Sequence, residues 1–88
     1  MKQVTVKVID PVGLHARPAS EAVKAAMQFK STIEAIYNGK AVNLKSIMGV
    51  MAAGIPTQAE IFISCEGEDE DVAVVKMEEI LKEKKVIA

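Results

Sequence analysis

The chain has 88 residues, enough for one domain with one modest core, and half of them are hydrophobic. A formal net charge of −1 excludes a general nucleic-acid binder, which needs a basic excess against phosphates, and no run approaches the ~20 apolar residues that span a bilayer. With two Phe, one Tyr, no Trp and a single cysteine, Val, Ile, Ala and Met must fill the core and no intrachain disulfide can form.

Residues 3–9 alternate, with Val4, Val6 and Val8 on one side and Gln3, Thr5 and Lys7 on the other, which predicts a half-buried strand. Met1–Thr5 has neither a long apolar run nor a small-residue cleavage pattern, so no signal peptide is expected and a reducing, cytoplasmic setting fits. Asp10-Pro11-Val12-Gly13 ends the strand as a loop. From Ala16 the period changes. Ala19, Ala22, Val23, Ala26 and Phe29 share one face at helical spacing, and Pro18 sits in the first turn, where its missing N–H forfeits no intrahelical bond. A helix therefore starts close to His15.

Ile33, Ala35 and Tyr37 alternate with Thr32, Glu34 and Ile36, and Asn38-Gly39 follows as a hairpin signal, since both residues tolerate positive φ. Lys40–Asn43 is the return strand. Ser46–Met51 reads as a brief helix with Ser46 near its cap, closed by Gly54 and Pro56. Residues 59–65 alternate again, Ala59, Ile61, Ile63 and Cys65 against Glu60, Phe62 and Ser64. Glu66–Asp71 reads as a solvated acidic turn and helix start. Val72–Lys84 is amphipathic through Ala73, Val74, Met77, Ile80 and Leu81, with acids first and lysines last, as the helix dipole favours. The order β-α-β-β-α-β-α in one domain predicts a two-layer arrangement with helices covering one sheet face.

Gly13-Leu14-His15-Ala16-Arg17-Pro18-Ala19 carries the only histidine. A histidine before a helix lies beside unpaired N–H groups and the positive dipole end, which favours a neutral, nucleophilic ring and then an attached anion. Arg17 adds a fork of donors for phosphoryl oxygens. One nucleophile with anion stabilisers suffices for a phosphoryl relay, where positioning and electrostatics dominate. A lone His at a helix start is more often a plain cap or surface residue, and the residues alone leave that reading standing. With no second His and no Cys pair, no metal site is expected, and nothing calls for a cofactor. No G-x-S-x-G elbow is present.

GLHARPA resembles the active-site motif of the HPr family, the histidine-containing phosphocarriers of the sugar phosphotransferase system. The resemblance continues through Tyr37-Asn38-Gly39-Lys40, Asn43-Leu44-Lys45-Ser46-Ile47-Met48-Gly49-Val50-Met51 and Ala59-Glu60-Ile61, so it spans essentially the whole chain as a single domain, residues 1–88. It implies an α+β open-faced β-sandwich, a four-stranded antiparallel sheet with three helices on one face. It implies that His15 takes a phosphoryl group on Nδ1 from phosphorylated enzyme I, with Arg17 assisting, and gives it to IIA domains of sugar permeases. In the branch with a regulatory serine, Ser46 is phosphorylated by a dedicated HPr kinase/phosphorylase, which weakens enzyme I docking and favours a catabolite repressor protein.

A helix as short as that after Ser46 cannot bury Ile47, Met48 and Met51 while Leu44 and Val50 also need cover, so some are expected to be exposed beside His15 as an adaptable docking patch, which Ser20, Lys24 and Met27 could extend. Lys24 and Arg17 would meet acidic partner surfaces. A monomer is expected, because a dimer covering the Met patch would block docking. Val12 stands where many relatives carry a small polar residue, and Gln58 where relatives often have Gly, which implies a slightly different turn there. Two other readings compete. One is a purely regulatory HPr-like protein that binds a repressor, although relatives of that kind lack the active-site His. The other is an HPr-like domain controlling nitrogen metabolism.

Overall fold

The computed structural model describes residues 1–88, as β1 (Lys2–Lys7), α1 (Ala16–Ala26), β2 (Thr32–Tyr37), β3 (Lys40–Asn43), α2 (Ile47–Ala53), β4 (Glu60–Glu66) and α3 (Glu70–Glu83). The strands form one antiparallel sheet in the order β1-β4-β2-β3, so the chain's last strand runs up its middle. This is the open-faced sandwich implied by the resemblance.

The alternation in each strand sorts the sheet into two faces. Val6, Ile33, Ala35, Ile61, Ile63 and Cys65 are buried beneath the helices. The register sets Thr5, Phe62, Ile36 and Ala41 in one row across the open face, and Phe62 there is 42% exposed. On the helical side, Ala19, Ala22, Ala25 and Ala26 of α1 are buried. Side chains that small let the helix approach the sheet closely, which suits a core built without large aromatics. In α3 the buried residues Ala73, Met77 and Leu81 recur at i, i+4, i+8. α2 starts on Ser46, whose hydroxyl accepts the Gly49 N–H at 3.0 Å, and stops at Gly54 in the left-handed conformation.

Several details differ from the sequence reading, α3 among them, which begins at Glu70 rather than Val72. α1 ends at Ala26, so Phe29 packs against the core from the following loop rather than from the helix face. β1 stops at Lys7, and Val8 makes a separate antiparallel bridge with Ile87. Lys85, at φ 61, turns the chain back so that the Ile9 N–H donates to the Val86 carbonyl at 2.9 Å, and Val86 and Ile87 are buried. Burial of two aliphatic side chains in this way is worth about 1.5–3 kcal/mol each. Gln58 takes φ 72, a conformation that glycine adopts without strain, and its N–H donates to Val8 at 2.7 Å.

The acidic turn is also more than a solvated corner. Asp69 accepts the backbone N–H groups of Lys30 and Ser31, each at 2.9 Å, and the Ser31 hydroxyl as well. Gly67 lies so close to Ser31 that an added Cβ would sit 2.8 Å from its Cα. The loop before β2 is thereby tied to the start of α3. The Ser31 hydroxyl first, then the Lys30 N–H, hold the Asp69 carboxyl below its ordinary range. A carboxyl whose folded value is depressed stabilises the fold above its unfolded value, and that stabilisation is lost as pH falls through the folded value. Thermal midpoints measured downward from pH 5 should therefore fall less steeply for Asp69→Asn than for the wild type, because the variant has no charge to lose at this site.

Candidate functional site

The loop between β1 and α1 is fixed before it reaches His15. The Asp10 carbonyl accepts the Gly13 N–H at 2.9 Å, closing a turn. Asp10 Oδ1 accepts the Val12 N–H at 3.1 Å in the same turn, the usual behaviour of an aspartate two residues before a backbone donor. Gly13 sits at φ +71, and a Cβ there would fall 2.4 Å from the Ile55 carbonyl oxygen and 2.9 Å from Pro56 backbone atoms. The Leu14 N–H then donates to that Ile55 carbonyl at 2.9 Å, while the Leu14 side chain is buried. The segment after α2 thus forms the floor on which the loop turns.

His15 is the N-cap of α1, with extended backbone (φ −137, ψ 158), an exposed side chain and no capping hydrogen bond from its ring. Leu14 is buried before it, and Pro18 and Ala19 after it. The imidazole is therefore displayed on a short tether between two anchors. Ala16 takes φ 48, in the left-handed region, where a non-glycine residue costs about 1–2 kcal/mol. The N–H groups of Ala16 and Arg17 have no acceptor within the protein, and Pro18 has none to offer. Two free donors and the positive end of an 11-residue helix flank an accessible ring, an arrangement suited to holding an anion on that ring.

Arg17 does not extend freely. Its Nη2 donates to Asp10 Oδ2 at 2.7 Å, with the arginine side chain 56% exposed and the aspartate side chain 10%. Asp10 is the residue that the sequence reading passed over as part of a loop. Its signal was the aspartate opening a Pro-x-Gly turn, seven residues before an arginine.

The other candidate residues occupy separate places. Ser46 caps α2 and belongs to the turn after β3, where the Asn43 carbonyl accepts its N–H at 3.1 Å and Asn43 Oδ1 accepts the Lys45 N–H at 2.9 Å. Lys45 Nζ reaches back to the Phe29 carbonyl at 2.6 Å. Gly49 faces the Ser46 hydroxyl, leaving room at the cap that a Cβ would narrow to 3.2 Å. Ile47, Met48 and Met51 are exposed, Met48 most of all at 80%, whereas Leu44 and Val50 are buried. Ser20 is half-buried and Lys24 exposed on α1. Met27, exposed at the far end of α1, lies roughly 17 Å along the helix axis from its start, at 1.5 Å per residue, so it does not border His15. A concavity of about 410 Å³ opens elsewhere, between β3 and α2, lined in part by Tyr37, Lys40 and Gly49. His15 lines no pocket; its ring stands on the open surface.

The family model for the PTS HPr component phosphorylation site matches residues 2–83. The chain is similar to the histidine-containing phosphocarrier protein of a Mycoplasma, at 43% identity over 98% of each chain and a TM-score of 0.91. It is similar to the phosphocarrier protein HPr of Bacillus anthracis, at 39% identity over 90% of this chain and 94% of that one, TM-score 0.81. It is also similar to Crh, a catabolite repression protein of Bacillus subtilis seen as a dimer with a swapped domain, at 40% identity over 94% and 95% of the two chains, TM-score 0.73.

The Ile55–Pro56 backbone leaves no room for a Cβ at Gly13. Gly13→Ala must hold an L-residue at positive φ and push back the Ile55–Pro56 backbone, so it should lower unfolding free energy by about 2–4 kcal/mol in denaturant titrations.

Proposed function

The chain belongs to the HPr family of the phosphotransferase system, and on that premise we propose that His15 accepts a phosphoryl group from one protein and gives it to another. The observation that carries this reading is the exposed, unbonded His15 ring beside the free N–H groups of Ala16 and Arg17. A ring nitrogen uses its lone pair to form an N–P bond as the donor's bond to phosphorus breaks, and the electrons of that bond leave with the donor. The reverse displacement onto an acceptor restores the free ring. The two N–H groups and Arg17 stabilise charge on the phosphoryl oxygens at each stage.

The donor in this reading is phosphorylated enzyme I, and the acceptors are IIA domains of sugar permeases, in the cytoplasm. No helix is long and apolar enough to cross a membrane. Ile47, Met48 and Met51 offer a flexible apolar surface, and Lys24 and Arg17 offer charge, to successive acidic partners that must bind briefly and let go. The chain works as a monomer, which keeps that surface open.

Ser46 serves as a second, regulatory site for HPr kinase/phosphorylase, with a catabolite repressor protein as the partner of the phosphorylated form. A phosphate there brings about −1.5 to −2 charge to the start of α2, where the helix accommodates it and an acidic partner surface does not. The similarity to Crh favours a regulatory role, and the presence of His15 with its donors favours a carrier that is also regulated, over a regulator alone.

With enzyme I and phosphoenolpyruvate, mass spectrometry at neutral-to-alkaline pH should find one acid-labile phosphoryl group on His15, and none in His15→Ala. An unmodified wild-type chain with an active enzyme I would leave the purely regulatory reading as the better one. Ser46→Asp should accept the group from enzyme I roughly tenfold more slowly, since it sets like charge against the docking surface. Equal rates would remove the inhibitory role of Ser46.

A further inference from the structure

The Asp10–Arg17 pair places an anion beside the residue that should bind one. We propose that Asp10 is a positioning residue that competes with the phosphoryl group on His15 for the Arg17 guanidinium, and so keeps that group transferable. This deepens the carrier reading and rests on it.

The two partners of the pair differ in freedom. Asp10 is 8% exposed, its Oδ1 is held by the Val12 N–H and its carbonyl by the Gly13 N–H. Its backbone neighbour Ile9 is fixed in turn by the Val86 carbonyl. The carboxylate cannot follow a moving arginine. Arg17 is more than half exposed, on a long stem, and the 2.7 Å bond from Nη2 to Oδ2 leaves its remaining N–H donors free. One guanidinium therefore faces two anions when His15 is phosphorylated, one anchored and permanent, the other arriving and leaving.

The consequence is a matter of free energy differences. A relay must not bind its cargo better than its acceptors do. Every donor bond that Arg17 gives to the phosphoryl group lowers the energy of the loaded state, and every bond that Asp10 retains raises it relative to a chain with a neutral residue at position 10. The charge-assisted bond in hand is short, so Arg17 turns its free donors toward the phosphoryl oxygens against the pull of Asp10.

Asp10→Asn tests this with little disturbance, because the amide oxygen still accepts the Val12 N–H and preserves the turn. The quantity to measure is the phosphorylated fraction of the chain at a fixed ratio of phosphorylated to free enzyme I, by 31P NMR. Asp10→Asn should raise the equilibrium constant for loading roughly two- to fivefold, the range of a partly exposed ion pair. Asp10→Glu, which keeps the charge, should return it most of the way to wild type. In an Arg17→Ala background the Asp10→Asn effect should largely vanish. An unchanged constant in Asp10→Asn overturns the proposal, as does a shift of equal size in the Arg17→Ala background, which would mean repulsion acting without the arginine. The wild-type chain supplies a check independent of folding: the Asp10 Cγ resonance should move on phosphorylation as the guanidinium leaves, and a stationary resonance overturns the proposal. A wild-type chain that takes no phosphate on His15 overturns the carrier reading and this one with it, whereas a chain that loads with no Asp10 dependence overturns this one alone.

Discussion

The approach of Gly13 to the backbone of Ile55 and Pro56 governs everything at the candidate site. That contact admits no Cβ, and it fixes where the chain leaves β1 and where it can begin α1. The Leu14 N–H, bonded to Ile55, and the Leu14 side chain, buried in the core, transmit the constraint one residue further, to His15. The ring is thus positioned by backbone geometry on either side and by nothing attached to the ring itself. A side chain held in this manner keeps all of its ring's bonding capacity free.

The core explains how so small a chain can hold such a loop still. The helices lie on a sheet whose inner face is Val, Ile, Ala and Cys, and α1 meets it with alanines. The burial of Val86 and Ile87 against the end of β1 adds two further aliphatic side chains at the edge nearest the loop. It also fixes Ile9, and Ile9 precedes Asp10, whose carboxylate holds Arg17. Residues at the two ends of the sequence are in this way part of one support.

Against this rigid frame, the exposed apolar residues stand out. Met48, Met51 and Ile47 could not all turn inward on a seven-residue helix whose inner face is filled by Val50, with Leu44 buried in the preceding turn. Water contact at these side chains is costly in the isolated chain and is relieved when a partner covers them. The unbranched, polarizable side chain of methionine repacks easily. Ser46 caps that same helix through its hydroxyl, at the edge of this exposed surface.

Much of this was legible in the residues. The period-two runs gave the strands, the shift to helical spacing after Ala16 gave α1, Asn38-Gly39 gave the hairpin, and Ser46 before a short apolar run gave the capped α2, because each depends on neighbours a few positions apart. The single histidine at a helix start marked the candidate nucleophile for the same local reason. Other features depend on which distant segments meet, and only the tertiary structure decided them. The bond from Ser31 to Asp69 and the return of Val86 and Ile87 to β1 each join groups whose encounter no local pattern specifies. Local sequence determined which elements form and where the reactive side chain sits among them. The packing of those elements decided which polar groups are left free around His15, because a donor's partner is set by what the fold brings within about 3 Å of it.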